Sequence, residues 1–130
     1  MSRWQPICWP VSVVFPLKQL TRLFKVLGDT VRLRVVNLLH AQSLCVGDLQ
    51  EVLGISQPDV SHQLAILRRA KLVLRRRQGT KVSYSLARAP FLNYPLSNFL
   101  REVLPFFPEL QADTRKLLEL KGDNGPNPAL

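Results

Sequence analysis

Between Val46 and Leu86 the apolar residues pass from helical spacing to strict alternation, with glycines at the joints, and this constrains the fold more than any other feature. Val46 to Leu53 reads as a short helix closed by Gly54. Ser56-Gln57-Pro58-Asp59 then reads as a new helix start, with Ser56 as N-cap and Asp59 three residues on. The helix it opens is expected to run to about Ala70, with Val60, Leu64 and Leu67 on one face and Pro58, Ser61, His62 and Arg69 on or near the other. Two short helices joined by Gly54-Ile55 make a helix-turn-helix. Directly after it, Leu72 to Arg77 and Lys81 to Leu86 read as strands, with Val82, Tyr84 and Leu86 alternating against Lys81, Ser83 and Ser85. Gln78-Gly79-Thr80 is the turn between them, so a β-hairpin, or wing, follows the helix-turn-helix.

The remainder of the chain completes a mainly α fold around that hairpin. Pro16 suits a helix start, and Leu17, Leu20, Leu23, Phe24 and Leu27 repeat at helical spacing until Gly28. Asp29 is the expected N-cap of the next helix, whose apolar stripe holds Val31, Leu33, Val35, Val36, Leu38 and Leu39, with Arg32 and Arg34 outside it. After Phe91 come Leu92, Leu96, Phe99, Leu100, Val103 and Leu104 at helical spacing, interrupted by Pro105 and Pro108. A last helix is expected from Pro108 to about Leu120. The resulting division is an N-terminal arm over 1–16, a domain of helix-turn-helix and wing over 17–90, C-terminal helices over 91–121 and a disordered tail over 122–130. At 130 residues and 46% hydrophobic, the chain has enough apolar material for one small core.

Charge gives the first indication of a partner. The formal net charge is +9, and it is unevenly spread. Residues 60–100 hold eight Lys and Arg and no Asp or Glu, because no acid occurs between Asp59 and Glu102. A helix that enters a major groove needs short polar side chains near its N-terminus and an apolar face against its own domain. Ser56, Gln57, Ser61, His62 and Gln63 supply the first, and either glutamine can pair with adenine. Arg68, Arg69 and Lys71 at the helix end, and Arg75, Arg76, Arg77 and Lys81 in the hairpin, suit phosphates or the minor groove. The plainer alternative is an ordinary solvated basic face. A protein-interaction module built on the same hairpin is a second alternative. The sequence argues against an enzyme, since it shows no paired carboxylates, no nucleophile–base arrangement and no glycine-rich phosphate loop. It also argues against a membrane role. Pro6, Pro10 and Pro16 break the apolar stretch from Trp4 to Leu17, which is too short to span a bilayer.

Several stretches in order resemble the ArsR/SmtB winged-helix repressors. They are Leu27-Gly28-Asp29 with Arg32-Leu33-Arg34, Leu44-Cys45-Val46-Gly47-Asp48-Leu49, Gly54 to Ser61, and Gly79 to Leu86. The resemblance covers about residues 20–87 continuously, and the helix after Phe91 more loosely. It implies a cytoplasmic homodimer that represses an operator on double-stranded DNA and lets go when an effector binds. Terminal helices would form its interface, here Leu20, Leu23, Leu96, Phe99, Leu100 and Val103. Two-fold symmetry implies an imperfect inverted-repeat operator.

The departures from the family pattern bear on the effector. Arsenic-sensing members carry two cysteines where this chain has Cys45 and Gly47. Zinc-sensing members use Asp and His pairs on the last helix, and no His follows His62. Sulfur-responsive members pair a cysteine at the Cys45 position with one on the last helix, which has none here. The histidine of the reading helix stands one place early, at His62. Cadmium- and lead-sensing members bring arm cysteines against the other subunit, and Cys8 lies in such an arm. Cys8 and Cys45 would then meet across the dimer, to bind a thiophilic metal or metalloid weakly or to form a disulfide. Otherwise Cys45 is a small buried apolar residue and Cys8 a free thiol, leaving a regulator without a metal effector.

Overall fold

A computed structural model describes residues 17–87, 98 and 101–122. Cys8, Leu96, Phe99 and Leu100, the arm over 1–16 and the tail beyond Gly122 lie outside these residues. The elements are α1 (Leu17–Leu27), α2 (Thr30–Ala41), α3 (Val46–Leu53), α4 (Gln57–Arg69), β1 (Val73–Gln78), β2 (Lys81–Leu86), a 3₁₀ turn (Leu104–Phe106) and α5 (Pro108–Lys121).

Local chemistry sets the helix starts. The Asp29 carboxylate accepts from the Arg32 amide (3.1 Å) and opens α2. The Ser56 hydroxyl accepts from the Asp59 amide (3.3 Å) and opens α4. Gly54 ends α3 at φ +69, a left-handed conformation that glycine adopts without a Cβ clash, and this turns the chain into α4.

The end of α4 follows the same pattern without a glycine. The Lys71 amide donates to the Arg68 carbonyl (2.9 Å) and the Leu72 amide to the Leu67 carbonyl (3.0 Å). This is the Schellman arrangement, and it puts Lys71 at φ +63, the one non-glycine with positive φ among the described residues. Leu72 is held by this cap, so β1 starts at Val73, one residue later than the apolar pattern suggests. β1 and β2 pair antiparallel from Val73↔Leu86 to Gln78↔Lys81. Leu44, just before α3, adds a bridge to β2 through two hydrogen bonds with Tyr84 (3.0 and 2.7 Å), which fixes the root of the hairpin to the helices.

The core lies between α2, α3 and α4 and extends under α5. Val35, Val36, Leu38 and Leu39 of α2 meet Leu49 and Val52 of α3 and Val60, Leu64 and Leu67 of α4. Full burial of such side chains contributes about 1.5–3 kcal/mol each. The α4 residues are therefore enough to fix which face of that helix is inward. Leu110 and Leu117 of α5 join the same core, so this helix is docked on its own domain. Arg34 clamps it, with Nε and Nη2 donating to both Asp113 carboxylate oxygens (2.8 and 2.9 Å). Asn37 donates to the Thr114 hydroxyl (3.2 Å), and Lys121 pairs with Asp48 of α3 (3.3 Å). α1 differs from the other helices. No residue in it is buried, although Leu23, Val26 and Leu27 pack on the core.

Candidate nucleic-acid interface

α4 lies with Val60, Leu64 and Leu67 inward, which turns Ser56, Gln57 and His62 to solvent and leaves Ser61 and Gln63 half-buried. Pro58 at the second helical position costs no hydrogen bond there, because the first amides of a helix have no partner within it. The Gln57 side-chain amide donates to the Ser61 hydroxyl (2.9 Å), so these two polar groups are ordered together at the leading end of α4. Gln63 is placed differently. Its side-chain carbonyl accepts from Arg32 Nη1 (3.0 Å), and Arg32 Nε donates to the Val26 carbonyl of α1 (2.5 Å). Gln63 thus joins α4 to α1 through Arg32, while Gln57 and His62 are exposed.

The basic side chains fall in two exposed groups. Arg68, Arg69 and Lys71 stand at the C-terminal end of α4, and Arg75, Arg76, Arg77 and Lys81 along the hairpin, all exposed. Alternation along β1 places Arg75 and Arg77 on one face, opposite Tyr84 and Val82, and Arg76 on the other, opposite Ser83. Arg77 Nε donates to the Gly79 carbonyl at the hairpin tip (3.3 Å). None of these cations is within salt-bridge distance of a carboxylate among the described residues. No ion pair among the described residues neutralises them, so they add positive potential at the end of α4 and along the hairpin.

Cys45 is the N-cap residue of α3 and is a half-buried free thiol. Its amide donates to Asp48 Oδ2 (3.3 Å). Burial pushes the Asp48 carboxyl up, but hydrogen bonds from the Cys45 thiol and amide, with Lys121 beside it, outweigh this and hold it below the ordinary carboxylate range. Among the described residues no group of three His, Cys, Asp or Glu side chains is arranged to hold a metal ion. Gly47, where a second thiol would stand, has the Cys45 sulfur 3.8 Å from its ideal Cβ position. The described residues of one protomer therefore do not fit a multi-thiolate metal site.

Of the residues that sequence assigns to a dimer contact, Leu20 and Leu23 are half-buried and Val103 is exposed. Leu23 already packs on its own core. The outward stripe of α1 is carried instead by Leu17 and Phe24, which are 76% and 65% exposed. Periodicity at i and i+7 makes Phe24 visible as part of that stripe. The roles of Arg32, Arg34 and Asp113 have no local sequence signal, since their partners stand 31 and 79 residues away.

Helices α3 and α4 joined at Gly54, with an antiparallel hairpin directly behind them, define a winged helix-turn-helix protein. Comparison with known proteins agrees. Residues 29–74 match the family model described as bacterial regulatory protein, arsR family. The chain is 47% identical over 70 residues to a transcriptional repressor SmtB homolog of Synechocystis, covering 54% of this chain and 53% of that protein. It is 40% identical over 77 residues to the arsenical resistance operon repressor of Staphylococcus xylosus, covering 59% of this chain and 73% of that one. Among solved structures it superposes on the homodimeric winged helix-turn-helix DNA-binding domain of a possible ArsR-family transcriptional regulator from Mycobacterium bovis. That match has TM-score 0.59 at 27% identity and covers 68% of this chain and 81% of the other. The chain belongs to the ArsR family. It spans about half the length of the Synechocystis relative. No helix among the described residues is long and apolar enough to cross a membrane.

Proposed function

We propose that this protein is a homodimeric, sequence-specific transcriptional repressor of the cytoplasm that binds an inverted-repeat operator, and that it is a binding protein rather than an enzyme. The observation that carries this is the set of seven exposed cations at the C-terminal end of α4 and along the hairpin, none within salt-bridge distance of a carboxylate among the described residues, on the same unit as the polar leading end of α4. In this reading α4 enters the major groove, Gln57, Ser61 and His62 face base edges, and the hairpin cations hold flanking phosphates. Dimerisation is supported by the apolar Leu17 and Phe24 left outside on α1 and by the homodimer of the M. bovis relative. Two such reading heads place half-sites about 34 Å apart, one helical turn, or a multiple of it.

The test is a gel-shift of the purified chain against genomic fragments, followed by titration of the selected duplex over a range of salt. With six to eight phosphates neutralised per dimer, the log–log salt slope should be roughly −5 to −7. Failure to shift any fragment would refute the reading, and a monomer in sedimentation equilibrium would refute its dimeric part.

The release signal in this reading is a metal or metalloid, or a thiol-reactive compound, acting at Cys45 and Cys8. Two thiols are fewer than the three or four soft ligands a tight arsenic or cadmium site takes, so weak binding or an oxidant-driven disulfide is the form it takes. Cys8→Ser and Cys45→Ser variants should keep the operator when arsenite, cadmium or peroxide releases the parent. Equal release of parent and variants would remove the cysteines from the account.

A further inference from the structure

Residues of α2 and α5 line a cavity of about 480 Å³, with Arg101, Leu104 and Pro105 on a third side. Its size falls among small-molecule sites, which run from about 300 to 1,000 Å³. The walls are mostly carbon, supplied by Ala41, Leu104, Pro105, Leu110 and Leu118. The scaffold is set by contacts beside it: Asn37 holds Thr114, and the Gln111 amide donates to the Pro105 carbonyl.

Its charge is of one sign. Arg101 and Arg115 line it, both exposed, and no carboxylate is among the lining residues or within salt-bridge distance of either guanidinium among the described residues. His40 also lines it, and His40 Nδ1 is buried with no hydrogen-bond partner among the described residues. A buried orphan of this kind in a native fold asks for a partner. Burial first, and then Arg101, hold the His40 imidazole below its ordinary pKa, so at neutral pH it is uncharged.

We propose that this cavity is a binding site for a small organic anion with an apolar body, its carboxylate taken by Arg101 and Arg115 and its hydrocarbon part by Leu104, Leu110 and Leu118. Guanidinium groups suit the planar, two-oxygen head of a carboxylate better than any other side chain does. An amine of the same length meets two cations there, and an alcohol gives them no charge to pair.

The test is isothermal titration of the full chain with octanoate, and with 1-octanol and octylamine as controls. Octanoate should saturate at one per chain and bind at least tenfold more tightly than octanol, with no binding of octylamine. The Arg101→Gln/Arg115→Gln double variant changes exposed positions only and should keep the parent's circular dichroism and melting midpoint. It should lose at least tenfold in octanoate affinity, with octanol unchanged. Three results would overturn the proposal: no saturable octanoate binding in the millimolar range, equal affinity for acid and alcohol, or full affinity in the double variant. A fourth would also do so: octanoate binding that weakens as chain concentration rises would show that a second copy covers the cavity. No DNA is present in this titration, so its failure leaves the operator-binding reading untouched, and failure of the gel-shift leaves the cavity untouched.

Discussion

Lys71 gives a prediction in which stability and binding move in opposite directions. It sits at φ +63 where α4 ends, a conformation that costs an ordinary L-residue roughly 1–2 kcal/mol and glycine almost nothing. Glycine also makes the unfolded chain more flexible, which takes back about 0.4–1 kcal/mol. Lys71→Gly should therefore stabilise the fold by about 0.5–1 kcal/mol and, in a chain of this size, raise the melting midpoint by about 2–5 °C. The same change removes one exposed cation from each reading head. If Lys71 meets a phosphate, a dimer loses two contacts and its salt slope should flatten by roughly 1.8. At 0.1 M salt the counterion contribution alone then weakens every duplex by up to about sixty-fold. Lys71→Ala separates the effects, because it keeps the strained backbone while removing the charge: it should bind DNA as poorly as the glycine variant without the gain in melting point. Differential scanning fluorimetry and salt-dependent anisotropy titrations read the two quantities. A glycine variant that melts at or below the parent refutes the strain argument, and an unchanged slope refutes the phosphate contact.

Other residues carry further expectations. Arg34→Met leaves the Asp113 carboxylate, 4% exposed, without its partner, and should cost about 3 kcal/mol in urea unfolding, the lower end for a broken buried pair because Arg34 is partly solvated. Arg34→Met combined with Asp113→Leu should recover most of that, and a single-variant cost below about 1 kcal/mol would show that the pair does not hold α5 down. Gln57→Ala should lose discrimination at particular base pairs by about 1–3 kcal/mol, whereas Arg76→Ala should weaken all sequences alike and flatten the salt slope. The reverse pattern in a panel of mutated duplexes would mean that the roles are misassigned. Burial, then Arg101, lower the His40 pKa in the folded state, so below about pH 6.5 the unfolded chain binds the extra proton and stability falls with falling pH. His40→Leu should lose less stability than the parent between about pH 7 and 5 in urea titrations, and identical losses would count against a buried neutral imidazole.

What the sequence revealed was what local chemistry determines. Helix α3, the Ser56 cap, the inward face of α4 and the β1–β2 pairing all follow from patterns a few residues long, and each is present as expected. Long-range partners were hidden. Arg32 and Arg34 fall outside the apolar stripe of α2 and look like solvated charge, yet one bonds Gln63 and the other Asp113. Gln63 stands in sequence among the polar residues of α4, where nothing marks its hydrogen bond to Arg32. The end of α4 was legible to within a residue, but its left-handed cap was not, because lysine gives no such signal. The bridge from Leu44 to Tyr84 joins positions forty residues apart and has no trace in either segment alone. The basic surface is legible because its signal is the absence of acids over a continuous stretch, which survives folding whatever the side-chain contacts.

The central claim is that α4 and the hairpin read a particular DNA sequence. Competition of operator and random duplexes of equal length for the purified chain, at one fixed physiological salt, tests it most directly. A specific repressor should prefer its operator by at least about a thousandfold. Gln57→Ala should erode that ratio, and Arg76→Ala should lower both affinities while leaving it intact. Equal affinity of the parent chain for operator and random DNA would contradict the claim and leave only a basic surface.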